Sequence, residues 1–118
     1  LEKHKDGLIV TSACLGGVIA QEYLINGYEA ALEESKYYQN LFGDDFYMGI
    51  HVFNHPDQIK VNYILEKICS ELNIKPVVEV DSHYILKEDA ESQEVLLAIN
   101  TKAKLNNPNR FKFDSRDF

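Results

Sequence analysis

Five side chains able to bind metal or move protons fall at or just after β-type runs: Cys14, His51, His55, Asp81 and His83. Thiolate, imidazole and carboxylate are the donors that zinc and manganese take, and Asp81-Ser82-His83 lets one short segment supply two of them. Each also has a plainer reading. A cysteine after a strand is more often a small buried hydrophobe than a ligand, His55 ahead of Pro56 suits a helix cap, and Asp-x-His recurs by chance in many proteins. Their coincidence at three successive strand ends favours a metal site. Cys69 sits inside an amphipathic stretch and reads as core filler. Gly16-Gly17 lacks the spacing of a phosphate-binding loop, and Ser12 lacks the Gly-x-Ser-x-Gly elbow of a hydrolase nucleophile.

The elements that must position these residues follow from local pattern. Gly7 to Ser12 is a short apolar, β-branched run that reads as a buried strand, ending in a turn at Ala13-Cys14-Leu15-Gly16-Gly17. Val18 to Asn26, closed by Gly27, and Tyr28 to Leu41, stopped by Gly43, read as helices. Phe46 to Phe53 is the second strand by β-propensity. From Asp57 to Leu72 the residues Val61, Ile64, Leu65, Ile68 and Leu72 follow the spacing of an amphipathic helix. Asn73-Ile74-Lys75-Pro76 breaks it before a third strand, Val77 to Val80. A fourth helix over Glu88 to Thr101 turns Val95, Leu96 and Ile99 inward, and the tail after Asn106 is polar and irregular. The aromatic group Tyr37, Tyr38, Phe42, Phe46 and Tyr47 reads as packing at a helix–strand junction.

Strand and helix alternate with crossovers longer than a dozen residues, which is the pattern of parallel βαβ units, so the fold class is α/β. In such folds functional groups gather at the carboxyl ends of the strands, where Cys14, His51, Asp81 and His83 lie. Three strands are too few to close a barrel. The chain of 118 residues opens on Leu and stops at Phe118, which reads as a piece excised from something larger. Twelve Lys and Arg against 19 Asp and Glu give a net charge of −7, which disfavours a DNA-gripping module. Two cysteines are too few for a disulfide scaffold, and neither a signal peptide nor an apolar span is present, so a reducing cytoplasm is the simpler setting.

Gly7-Leu8-Ile9-Val10-Thr11-Ser12-Ala13-Cys14-Leu15-Gly16-Gly17, Phe46-Tyr47-Met48, Asp81-Ser82-His83-Tyr84 and Val95-Leu96-Leu97-Ala98-Ile99, in that order, resemble the PHP (polymerase and histidinol phosphatase) domain of the bacterial DNA polymerase III alpha subunit. The resemblance covers nearly the whole chain. It implies that residues 1–106 are the C-terminal part of a distorted (β/α) PHP-type barrel and that residues 107–118, with Asn109-Arg110-Phe111-Lys112-Phe113, Asp114 and Phe118, start the connection toward the polymerase palm. It also implies that Cys14, Asp81 and His83 are metal ligands, with earlier ligands, including a His-x-His, upstream of Leu1. Gly49, His51, Val18 and Val80 depart from the family pattern.

Further expectations come with that resemblance. Divalent metal, whether zinc, manganese or magnesium, belongs to the complete domain, with weak or no binding in the fragment. The parent is a nucleotidyltransferase of DNA replication whose PHP domain performs 3′–5′ exonuclease chemistry or serves structure and docking. Its partners are DNA, deoxynucleotides, a proofreading exonuclease subunit and a sliding clamp. The isolated piece is expected to be inactive, and its open sheet edges invite self-association. Two other readings share the same residues: a stand-alone phosphoesterase similar to histidinol phosphatase, and a degenerate docking domain without catalysis.

Overall fold

A computed structural model describes residues 2–113. The chain divides into two compact units, Leu1–Glu79 and Val80–Phe118. The first holds β1 (Val10–Thr11), α1 (Val18–Asn26), α2 (Tyr28–Phe42), β2 (Phe46–His51), α3 (Pro56–Leu72) and β3 (Lys75–Glu79). The second holds α4 (Ala90–Asn100) after a single 3-10 turn at Lys87–Asp89. Three parallel strands in the order β1-β2-β3 form the sheet, with Val10 opposite Phe46 and His51 opposite Glu79. The class is the α/β arrangement that the alternation of elements predicts.

Helix α3 shows why these residues fold as they do. Pro56 occupies the first turn, where its missing N–H costs nothing, and the His55 Nδ1 accepts a 3.2 Å hydrogen bond from the Asp57 N–H. The helix ends on Asn73 in the left-handed region, a conformation that asparagine tolerates. Between these caps Val61, Ile64, Leu65 and Ile68 are at most 5% exposed, and Cys69 joins them. They meet Ile19 and Ala20 of α1, Ala31 and Leu32 of α2, and Phe46 and Met48 of β2 in one core. Gln39 of α2 adds a 2.7 Å bond to the Leu72 carbonyl at the end of α3. The aromatic packing is also seen, with Tyr38 stacked on both Phe42 and Phe46 and Tyr37 edge-on to Tyr38.

Several boundaries differ from the sequence expectation. Strand β1 is only two residues long, because Gly7 takes a positive φ and Leu8 turns back to bond the Lys5 carbonyl, which leaves Ile9 exposed. Strand β2 stops at His51, since the chain turns where the His55 N–H reaches the Phe53 carbonyl. Strand β3 starts at Lys75 and contains Pro76, which an outer strand tolerates because half of its amides point away from any neighbour.

The second unit corrects a packing expectation. Val95, Leu96 and Ile99 are 41%, 55% and 65% exposed, and the buried positions of α4 are Ala90 and Ala98. The fully buried positions of α4 therefore carry small residues, Leu97 is half-buried, and Val95, Leu96 and Ile99 point outward. The polar tail is held by turns: Arg110 donates to the Leu105 carbonyl and pairs with Glu94, and Asn107 accepts from the Asn109 N–H. Residues 114–118, with Asp114 and Phe118 of the expected palm connection, lie outside the described residues.

Candidate functional site

Parallel pairing brings the carboxyl ends of β1, β2 and β3 to one edge of the sheet. Side chains alternate across a strand. Phe46 and Met48 face the helical core, and Ile50 packs against it. Tyr47, Gly49 and His51 therefore point to the opposite face, together with Val77 and Glu79 on β3 by register.

After β1 the chain is tightly tethered. The Ser12 N–H extends the ladder to the Tyr47 carbonyl, and the Ser12 Oγ accepts a 2.9 Å bond from the Gly49 N–H. Ala13 adopts φ +61°, and the Gly17 N–H closes the turn on the Cys14 carbonyl at 2.8 Å. A side chain at 17 would collide with the Ser12 carbonyl oxygen, 2.3 Å from where its Cβ would lie, so only glycine fits at the start of α1. Cys14 is half-buried on this turn with a free thiol. Cys69 differs: it lies in the core on α3, where burial, then the charge of Glu66, pushes its thiol up to about 11.

At the ends of β2 and β3, His51 is 4% exposed and its Nε2 lies 3.1 Å from the Glu79 Oε2. The contact is close enough for an ion pair but lacks hydrogen-bond alignment: neither ring nitrogen has a hydrogen-bond partner. Room for the carboxylate comes from Gly49, whose Cβ would sit 2.3 Å from that same oxygen. The His51 carbonyl accepts a 2.8 Å bond from Asn62, which in turn accepts from Gln58, so α3 holds the end of β2. Sequence reasoning picked out His51 but missed Glu79. The available signal was a glycine in mid-strand two residues before a histidine, a mark of close approach by another group.

In the second unit Asp81 and His83 are brought together. The His83 Nδ1 lies 2.9 Å from the Asp81 main-chain oxygen and 3.9 Å from its Oδ1. A carbonyl oxygen only accepts, so Nδ1 carries a proton in this contact. Phe113 packs on the imidazole with ring centroids 4.5 Å apart. His55, as the cap of α3, fulfils its plainer reading. Among the described residues no three or more His, Cys, Asp or Glu side chains cluster with metal-binding geometry, and no helix is long and apolar enough to cross a membrane.

These features define a parallel α/β unit with thiol, imidazole and carboxylate groups after its strands, followed by a short helical unit that carries an Asp-x-His pair. No protein-family model matches the chain. Along its whole length it is homologous to a segment of DNA polymerase III subunit alpha. It is 40% identical over 118 residues to that protein from Borreliella burgdorferi, 40% over 118 to that from Deinococcus radiodurans and 37% over 118 to that from Thermus aquaticus. The chain spans only about a tenth of the length of these relatives, 9–10% in each case.

Proposed function

We propose that this chain is a segment of the alpha subunit of a bacterial replicative DNA polymerase and belongs to its PHP domain, with Cys14, Asp81 and His83 as ligands of divalent metal ions. The observation that carries the polymerase assignment is similarity over all 118 residues to alpha subunits of three bacteria. The Asp81–His83 pair has donors of the type such an ion takes. A metal-binding histidine characteristically donates its second ring N–H to a carbonyl or carboxylate, which fixes the ring and presents the other nitrogen, and His83 makes that bond to Asp81.

When bound, zinc, manganese or magnesium would polarise a phosphodiester and lower the pKa of a coordinated water. Asp81 would supply a carboxylate oxygen, His83 an imidazole nitrogen, and Cys14 a half-buried sulfur whose thiolate form favours zinc. The chemistry so supported is 3′–5′ hydrolysis of DNA ends. Polymerisation and the grip on DNA belong to other parts of the polypeptide, in keeping with the acidic balance of this one.

The test is removal of terminal nucleotides from a 3′-labelled DNA strand by the complete polypeptide in which this segment lies. Loss of that hydrolysis on replacing Asp81 and His83, with nucleotide incorporation retained, supports the reading. Undiminished hydrolysis in those variants refutes it.

A further inference from the structure

We propose that His51 and Glu79 form a second foothold for a divalent cation of the zinc class, built wholly within the first unit and from none of the three residues assigned above. The starting point is an unsatisfied group. His51 is 4% exposed, yet neither of its ring nitrogens has a hydrogen-bond partner, whereas buried polar atoms are nearly always paired. Its Nε2 nevertheless stands 3.1 Å from a Glu79 oxygen. Two donor atoms 3.1 Å apart without hydrogen-bond alignment have the separation of neighbouring ligands on one ion. Bonds of about 2.0–2.2 Å at angles of roughly 90–109° place adjacent donors about 3.0–3.4 Å apart.

The surroundings are built for such a pair. Gly49 leaves open the space that the Glu79 carboxylate fills, 2.3 Å from where a Cβ would be, and the Ala13 carbonyl oxygen borders the same space at 3.5 Å. Ala13 supplies a main-chain oxygen donor from the turn after β1, and water completes the shell. Asn62 fixes the His51 main chain from α3. One imidazole nitrogen with carboxylate and carbonyl oxygens selects zinc, cobalt or manganese ahead of magnesium, which takes an all-oxygen shell.

The experiment is titration of the full chain with cobalt(II), read by its visible absorption, and with zinc as competitor. The background is Cys14→Ser, Asp81→Asn and His83→Gln, so that the outcome is independent of the function proposed above. One saturable, zinc-displaceable equivalent is expected, weakened at least about tenfold by His51→Gln or by Glu79→Gln. In the unsubstituted chain, zinc is expected to shift the His51 Nε2 resonance in long-range proton–nitrogen spectra, a readout that needs no variant to fold. Cobalt affinity unchanged by either substitution, or a His51 resonance indifferent to zinc, overturns the proposal and leaves the two side chains a simple ion pair.

Discussion

The imidazole of His83 lies 2.9 Å from the main-chain oxygen of Asp81, two residues earlier, through its Nδ1. This contact places a ring proton on Nδ1, so the proposed metal role would fall to Nε2. His83→Gln removes that nitrogen. In the complete polypeptide it is expected to lower metal-dependent 3′ hydrolysis by at least the roughly 10–100-fold that follows loss of even an outer-shell partner, and to leave nucleotide incorporation within about twofold of normal. Steady-state rates of both reactions on the same preparation check it.

Gly49 and Glu79 are coupled by volume. A methyl at 49 falls 2.3 Å from the Glu79 Oε2 and 2.9 Å from its Cδ, so Gly49→Ala must drive the carboxylate off His51. The colliding atoms are the far end of a flexible side chain, so the expected cost lies at the low end of overpacking, about 1 kcal/mol. Glu79→Ala should recover part of it, giving a non-additive double-mutant cycle. Urea denaturation of the two single variants and the double variant measures this; additivity would mean that the carboxylate moves aside at no cost.

Burial separates two sets of apolar residues. Leu65 and Ile68 are 2% and 0% exposed in the core of the first unit, and truncation of either to Ala is expected to cost about 2–5 kcal/mol. Leu96 and Ile99 are more than half exposed on α4, so Leu96→Ala and Ile99→Ala in this chain should change stability by about 0.5 kcal/mol or less. Denaturant midpoints at constant m-value decide.

The two cysteines should differ in reactivity. Cys14 is half-buried on a turn, whereas Cys69 is buried in α3 with its thiol raised from 9.0 to about 11. A thiol reagent at pH 8 is expected to modify Cys14 in the folded chain and Cys69 only on unfolding. The raised thiol also fixes a sign: the unfolded chain loses this proton first, so the contribution of Cys69 to stability is intact below pH 9 and is lost as pH climbs from 9 toward 11. Denaturation midpoints for the native chain and Cys69→Ala across that range test the direction.

The helices were the most legible part of the sequence, because glycine and proline punctuate them. Gly27 and Gly43 bound α2, and Pro56 with His55 opens α3 on an uninterrupted apolar period. Strand limits were harder to read. Leu8, Ile9, Val52 and Phe53 have strand-like side chains, but main-chain bonds at Lys5 and Phe53 turn the chain before they can pair. Helix α4 misled for another reason. Periodicity identifies an apolar face but does not say whether the same chain covers it, and here Ala90 and Ala98 take the buried positions. In the site, Asp81-x-His83 was visible because its two members are neighbours in sequence. The His51–Glu79 contact joins positions 28 residues apart, and only the strand register brings them together.

Metal content tests the central claim most directly. Elemental analysis of the complete polypeptide, purified without chelator, should find stoichiometric zinc or manganese, with at least one equivalent lost in the Cys14→Ser, Asp81→Asn, His83→Gln variant. Equal metal content in the native and triply substituted proteins, both folded, would contradict the assignment of these three residues as ligands.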